Sequence, residues 1–85
     1  MPYTVELNTA AQRDYSHLDR SISERVSAAF DALEVDPRPR GCVKLVGQRQ
    51  HYRVRVGSYR IVYSVDDDAR RVFVKQIQHR REVYR

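Results

Sequence analysis

An alternation of apolar and polar residues between positions 51 and 65 constrains the fold of this chain more than any other feature. Apolar side chains recur at every second position on both sides of Gly57-Ser58: Tyr52, Val54 and Val56 before it, and Tyr59, Ile61, Tyr63 and Val65 after it. Successive side chains of a strand point to opposite faces, and glycine supplies the positive φ that a two-residue hairpin turn requires. The sequence therefore predicts an antiparallel hairpin with one apolar face.

The polar face of this hairpin carries three arginines. A two-residue loop fixes the register, so that Arg55 faces Arg60 and Arg53 faces Val62. Like charges opposite each other destabilise a hairpin by up to about 1 kcal/mol, whereas clustered guanidinium groups are favourable where they bind a phosphate. We therefore interpret the cluster as a phosphate-binding site. The alternative is that the side chains extend into solvent and offset acidic residues, but few acids are predicted near this face.

A third strand is predicted over residues 70–77, after a polar turn at 66–69. If the loop has an even length, Lys75 faces Arg60 and enlarges the cluster, whereas an odd length reverses its side.

The tail that follows, residues 78–85, contains His79 and Tyr84. Histidine can exchange a proton near neutral pH, and the tyrosine ring can stack on a base. Alternatively, both are ordinary surface side chains.

The N-terminal half predicts one strand and two helices. Residues 3–7 alternate as a strand, and Asn8 or Thr9 is a suitable N-cap for a helix over 10–18. Ser21 and Glu24 have capping-box spacing for a second helix, which ends before Pro37. Its apolar residues form one stripe: Ile22, Val26, Ala29, Phe30 and Leu33. A stiff connector over 36–41 and a short extended piece over 43–46 lead into the hairpin.

These elements predict an α+β fold with the order β-α-α-β-β-β. The two N-terminal helices form an antiparallel hairpin on one face of a mostly antiparallel, twisted sheet. The 85 residues predict a single domain over 1–85. No apolar run reaches the ~18 residues that span a bilayer, and the single cysteine, Cys42, gives no disulfide. We therefore expect a cytoplasmic protein without a membrane partner.

The charge of the chain is divided unevenly along its length. Residues 1–37 contain three Arg against seven Asp or Glu, a net charge of −4. Residues 38–85 contain thirteen Lys or Arg against four Asp or Glu, a net charge of +9. Such a polarised molecule attracts polyanions to its C-terminal half.

Cys42 has no Cys or His neighbours at metal-binding spacing, so we expect no metal site there.

Two strings of residues, YRIVY at 59–63 and HRREVY at 79–84, lie on either side of an acidic turn. Together they resemble the C-terminal sheet of RelE-type toxins in the RelE/ParE superfamily, the toxin halves of bacterial toxin–antitoxin pairs. The resemblance covers nearly the whole chain and includes the Lys44-Leu45 pair after the connector. Each string alone is a weak signal, but the combination is specific. It implies a RelE-like fold.

The resemblance also implies an activity. RelE-type toxins are ribosome-dependent endoribonucleases that cut mRNA in the decoding site, by attack of the ribose 2′-OH on its own 3′-phosphate, without a metal or other cofactor. Arg60 matches the arginine that holds the scissile phosphate, and Arg53 and Arg55 stand where the best-known members have lysines. Arg80, or Arg81 if a gap is placed differently, matches the arginine of the tail. Tyr84 matches the tyrosine that stacks on the base or assists proton transfer.

The change from lysine to arginine leaves the general base open. Arginine keeps its proton, so it stabilises charge but accepts protons poorly. His79 is the first candidate for the base, and Glu82 or Tyr84 are weaker ones. Alternatively, the activity is slow and charge stabilisation supplies most of the acceleration. The resemblance further implies a cognate antitoxin, acidic and partly disordered, that lies over the helices or the basic face. Ribosome and mRNA are the other partners, and operator DNA is contacted only through the antitoxin.

Two other functions fit parts of the sequence. A ParE-like toxin has the same fold but binds and poisons DNA gyrase and cuts nothing itself; it does not need the arginines, His79 and Tyr84. A plain nucleic-acid-binding module would explain the charge but not the tail.

Overall fold

The computed structural model describes residues 2–47 and 49–80. Within them two helices and a five-stranded sheet follow each other along the chain. Their bounds are β1 Thr4–Leu7, α1 Thr9–Ser16, α2 Arg20–Val35, β2 Val43–Lys44, β3 His51–Val56, β4 Tyr59–Asp66 and β5 Arg71–His79. The strand order is β1-β5-β4-β3-β2, with β1 parallel to β5 and the other pairs antiparallel. The predicted α+β fold is thus confirmed, and the extended piece after the connector is the short strand β2.

The helices cover one face of the sheet. Val26 and Leu33 of the predicted apolar stripe are fully buried, while Ile22, Ala29 and Phe30 pack against the core at its margin. The sheet contributes residues that alternate with a period of two within β3, β4 and the first part of β5, together with Ile77: Tyr52, Ile61, Tyr63, Val65, Val72, Val74 and Ile77. In the part of the chain that the structure describes, no helix is long and apolar enough to cross a bilayer.

The first helix begins as predicted, but the second does not. The side chain of Asn8 accepts a hydrogen bond from the backbone N–H of Ala11 at 2.8 Å. For α2 the predicted capping box is wrong, because the helix begins at Arg20 and its N-cap is Asp19. The carbonyl of Asp19 accepts the first helical hydrogen bond, from Ser23 at 2.8 Å. Only residues 17–19 separate the helices, so this short connection starts α2 earlier than the side-chain pattern indicates.

The hairpin of β3 and β4 has the predicted register. Arg55 pairs with Arg60 and Arg53 with Val62. Gly57 in the turn has a φ of +58°, and a Cβ built there would lie 2.9 Å from Nη1 of Arg25 on α2. The positive φ favours a glycine at this turn, whereas the flexible end of the Arg25 side chain could move aside for a Cβ.

The pairing of β4 with β5 contains a bulge that the sequence pattern does not reveal. Val62 pairs with Gln76 and Tyr63 with Val74, so Lys75 is the extra residue. Arg60 faces Gln78 rather than Lys75, so the direct pairing that an even loop was expected to give does not form. Since a bulge places two residues opposite one, Lys75 nevertheless comes to the same face as Arg60, where both line a pocket.

A polar network ties the connector to the turn between β4 and β5. Arg38 donates to both carboxylate oxygens of Asp67, at 3.1 and 2.8 Å, and to the hydroxyl of Tyr52 at 2.9 Å. Tyr3 also donates to Asp67, at 2.7 Å. These hydrogen bonds, first from Arg38 and then from Tyr3, lower the pKa of Asp67 to about 2. The network thus holds the connector against the sheet at neutral pH.

Candidate functional site

The three arginines of the hairpin lie together on the face of the sheet away from the helices. Arg55 is exposed, whereas Arg53 and Arg60 are half-buried. Arg55 and Arg60 are direct cross-strand partners, and Arg53 precedes Arg55 by two positions on the same face. The alternation of β3 and β4 thus produces this cluster directly, because the core residues Val54 and Ile61 occupy the other face.

Two adjoining pockets surround the cluster. One, of about 250 Å³, is lined by all three arginines with Gly41, Val43 and Val54. The other, of about 540 Å³, is lined by Leu45, His51, Arg53, Arg60, Val62, Lys75, Gln76 and Gln78. Among the described residues that line either pocket there is no Asp or Glu. The charged side chains of this surface are therefore cationic, as an anionic ligand requires.

Arg53 contributes a further sign of an anion site. Its Nε is buried and has no hydrogen-bond partner among residues 2–47 and 49–80. A buried donor without a partner costs about 1–3 kcal/mol, so a folded chain retains one chiefly where something else satisfies it. A phosphate oxygen in either pocket that Arg53 lines would accept this hydrogen bond, and guanidinium–phosphate hydrogen bonds are among the strong ones.

His79 does not join the arginines. It pairs with Tyr59, one position beyond the Arg60–Gln78 pair, and therefore lies on the helix-covered face. Its ring meets the ring of Tyr59 edge-on, at 4.9 Å between centroids, and Tyr59 packs against the core. The sequence placed His79 at the end of the strand next to the cluster, which is where it is found, but the sheet separates the two.

The tail begins close to the cluster. The backbone N–H of Arg80 donates to the carbonyl of Ser58 at 2.7 Å, which holds Arg80 beside the hairpin turn that adjoins the Arg55–Arg60 pair. Its side chain is exposed. Tyr84, together with Arg81 and Glu82, lies outside the described residues.

The alternation of β3 puts His51 on the face of Arg53, but the sequence offered no reason to assign this histidine a function. It is half-buried on β3, on the face of Arg53, and it lines the larger pocket with Arg53, Arg60 and Lys75. The assembled face therefore holds four cationic side chains and one imidazole.

Comparisons with known proteins agree with this architecture. The family described as "ParE toxin of type II toxin-antitoxin system, parDE" matches residues 5–84. Toxin RelG of Mycobacterium tuberculosis is 34% identical over 86 residues, covering 100% of this chain and 99% of RelG. The archaeal RelE–RelB complex from Pyrococcus horikoshii OT3 matches with a TM-score of 0.84 and 28% identity, over 94% of this chain and 97% of that one.

A second solved structure, the isolated RelE toxin of E. coli, matches with a TM-score of 0.82 and 27% identity, over 96% of this chain and 90% of that one. The two solved structures are of RelE toxins, RelG is similar over the full length of the chain, and the family match spans residues 5–84. The chain belongs to the RelE/ParE superfamily of type II toxin–antitoxin toxins and is of the RelE type.

Proposed function

We propose that this toxin is a metal-independent endoribonuclease that enters the ribosomal decoding site and cuts the mRNA codon there, inhibiting translation. The observation that carries the proposal is the cluster of Arg53, Arg55 and Arg60 around two pockets, with the buried Nε of Arg53 lacking a partner among the described residues. In the proposed reaction the ribose 2′-oxygen attacks the adjacent 3′-phosphate, the bond to the 5′-oxygen breaks, and a 2′,3′-cyclic phosphate results.

The arginines act on the charge of the transition state. Attack by the 2′-oxygen places additional negative charge on the phosphate oxygens. Hydrogen-bond donors already fixed near these oxygens stabilise that charge without the reorganisation that water molecules would need. Arg55 and Arg60 face each other across the strands, a spacing that lets one phosphate bridge them. Arg53 supplies a further donor from the same face. None of the three can serve as the base, because guanidinium groups remain protonated.

The tail completes the proposed site. Arg80, held beside the turn by its backbone hydrogen bond to Ser58, adds positive charge at the end of the cluster. Tyr84 is proposed to stack on the base of the bound codon, as base–aromatic stacking is favourable for any nucleotide. The ribosome and its mRNA are the partners of this surface, and the net charge of the C-terminal half favours both. The proposal places the protein in the cytoplasm.

A cognate antitoxin is the proposed protein partner, as in the RelE–RelB complex of the archaeal relative. A groove of about 310 Å³ runs between α2 and β3, lined by Ala29, Ala32, Leu33, Pro39, Arg40, Gly41, Val54, Arg55 and Val56. Its apolar floor and two arginines fit an acidic, amphipathic segment that folds as it binds. Because Arg55 lines both the groove and the smaller pocket, such a segment would obstruct the cluster. Operator DNA is contacted through the antitoxin.

A second candidate is a ParE-like toxin that poisons DNA gyrase without cutting nucleic acid. Two observations favour this candidate. The description of the matching family names the ParE toxin, and His79, the first candidate for the general base, lies apart from the arginines. The arginine cluster, in which the Nε of Arg53 has no partner among the described residues, favours the nuclease, because a gyrase-binding protein has no need of a concentrated phosphate site.

Expression of the toxin followed by primer extension on cellular mRNA tests the proposal. We expect growth arrest with breaks at codon spacing, and Arg60→Ala should abolish the arrest and lower cleavage by about 10²-fold or more, as loss of one charge-stabilising donor does. Arg13→Ala, which removes an exposed arginine of α1, is the matched control and should remain toxic. A fully toxic Arg60→Ala protein contradicts the proposal. An SOS response without mRNA breaks indicates the gyrase alternative.

A further inference from the structure

The proposed cleavage needs a proton acceptor on the face that holds the arginines. The 2′-OH must lose its proton as it attacks, and a positioned base contributes about 10²–10⁴-fold to such a step. His79 is on the other face of the sheet, and arginine is a poor acceptor. Of the described side chains around the two pockets, only two others can act as bases: Lys75 and His51.

Lys75 is the less suitable of the two. Its Nζ lies 5.7 Å from the centroid of the Phe73 ring, so the ammonium group makes a cation–π contact with this ring. A protonated ammonium donates hydrogen bonds but accepts none. Lys75 therefore adds to the positive charge of the pocket, together with Arg53 and Arg60, rather than taking a proton from the substrate.

The contact of His51 with the backbone leaves Nε2 as the nitrogen that can accept a proton in the neutral ring. Its Nδ1 lies 2.8 Å from the carbonyl oxygen of Arg49. Because a carbonyl oxygen only accepts hydrogen bonds, Nδ1 must carry the proton in this contact. In the neutral ring the lone pair is then on Nε2, and the Arg49 carbonyl fixes both the tautomer and the orientation of the ring, as an orienting group does for a catalytic histidine.

The position of His51 suits the same task. It lies two residues before Arg53 on one face of β3, which separates their Cα atoms by about 6–7 Å. It lines the larger pocket, where Arg53, Arg60 and Lys75 face it from β3, β4 and β5, and pairs with Ser64 across the hairpin. A phosphate held by Arg53 and Arg60 would thus bring the adjoining ribose close to the imidazole.

We propose that His51 is the general base of the cleavage, an inference that rests on the proposed nuclease function. Nε2 of His51 takes the proton of the 2′-OH as the bond between the 2′-oxygen and phosphorus forms. The bond between phosphorus and the 5′-oxygen breaks, and the leaving oxygen takes a proton from water. His51 then returns its proton to solvent, so the enzyme is unchanged after each cut.

Single-turnover cleavage of a short mRNA on purified ribosomes, measured between pH 5 and 9, tests this role. His51→Gln keeps a side-chain donor for the Arg49 carbonyl but has no basic nitrogen, and should lower the rate constant about 10²-fold or more. In the wild type the rate constant should rise with pH as the base loses its proton, and in His51→Gln this rise should be absent. Imidazole added to the buffer should restore part of the activity of His51→Ala but none of that of Arg60→Ala. His17→Gln, an exposed histidine at the end of α1, is the matched control.

The outcomes separate the two proposals. A wild-type-like rate and pH profile for His51→Gln overturns the role of His51 while leaving the nuclease intact, all the more if His79→Gln is the inactive variant. A slow His51→Ala protein with an unchanged pH profile and no rescue by imidazole also overturns it, because it indicates a structural role. If the wild-type toxin arrests growth but does not cut mRNA on ribosomes, both the nuclease function and the role of His51 are excluded. Binding of an mRNA with a 2′-deoxy residue at the cleavage position should be the same for His51→Gln and wild type.

Discussion

The two faces of the sheet are formed by the same strands but differ in how far their interactions are satisfied within the described chain. On the helix-covered face Ile61 and Tyr63 are fully buried, and the one polar atom of Tyr63, its hydroxyl, donates to the carbonyl of Pro37 at 2.7 Å. On the other face Arg55 opposes Arg60, and the Nε of Arg53 is buried without a partner among the described residues. One face is arranged for stability. The other retains unfavourable contacts that a bound phosphate would relieve, as functional sites commonly do.

Adjacent residues of β4 give the sharpest test of this contrast. Ile61 is fully buried, whereas the next residue, Val62, is half-buried on the arginine face. We expect Ile61→Ala to lower the free energy of unfolding by about 2–5 kcal/mol, through lost apolar burial and the cavity left behind. Val62→Ala should lower it by about 1 kcal/mol. Urea denaturation of the two variants measures both, and equal losses would show that the faces do not differ in this way.

The network around Asp67 predicts a pH dependence of stability. Hydrogen bonds from Arg38 and Tyr3 lower the pKa of this carboxyl from 3.8 to about 2 in the folded chain. Its contribution to stability is therefore complete above about pH 4 and is lost as the pH falls towards 2. Asp67→Asn should be less stable than wild type at pH 6, and this difference should shrink between pH 4 and 2.

Thermal unfolding of the two proteins across this pH range measures the effect. Arg38→Gln removes the main partner of Asp67 and should abolish the same part of the pH dependence. A constant difference between wild type and Asp67→Asn down to pH 2 would contradict the network.

The smallest effect is expected on the arginine face itself. Arg55→Gln removes a like-charge cross-strand contact with Arg60 and should raise the free energy of unfolding by up to about 1 kcal/mol, while weakening toxicity. Arg20→Gln, an exposed arginine paired with Glu24 at 3.3 Å, is the matched control and should give no such gain. Because screening weakens charge repulsion, the gain should diminish in high salt. A loss of stability in Arg55→Gln would show that the cluster is structural.

Local chemistry was sufficient to predict the hairpin and its arginines. A two-residue turn at Gly57-Ser58 sets the register of β3 and β4 through contacts a few residues apart, so the pairing of Arg55 with Arg60 could be read from the chain. The apolar stripe of α2 likewise identified Val26 and Leu33 as core residues, because a helix has one fixed period. The family resemblance supplied the toxin class, which no periodicity could have indicated.

Interactions distant in the sequence decided the rest. β5 pairs with β4 across a longer turn, and its bulge at Lys75 reverses the alternation of the residues that follow. Gln76 and Gln78 therefore lie on the arginine face and His79 on the other. Asp14 of α1 accepts a hydrogen bond from the backbone N–H of Ile77 at 3.0 Å, so the helix layer takes part in setting the backbone of β5 close to the bulge.

The sequence by itself therefore determined which residues alternate, which turn joins β3 to β4, and that Arg53, Arg55 and Arg60 share a face. The same alternation places His51 on that face, and only the tertiary structure decided that His79 lies on the other one. The physical reason is that a two-residue turn fixes strand pairing through neighbouring residues, whereas a bulge depends on how the whole strand packs against the helices and the adjoining strand.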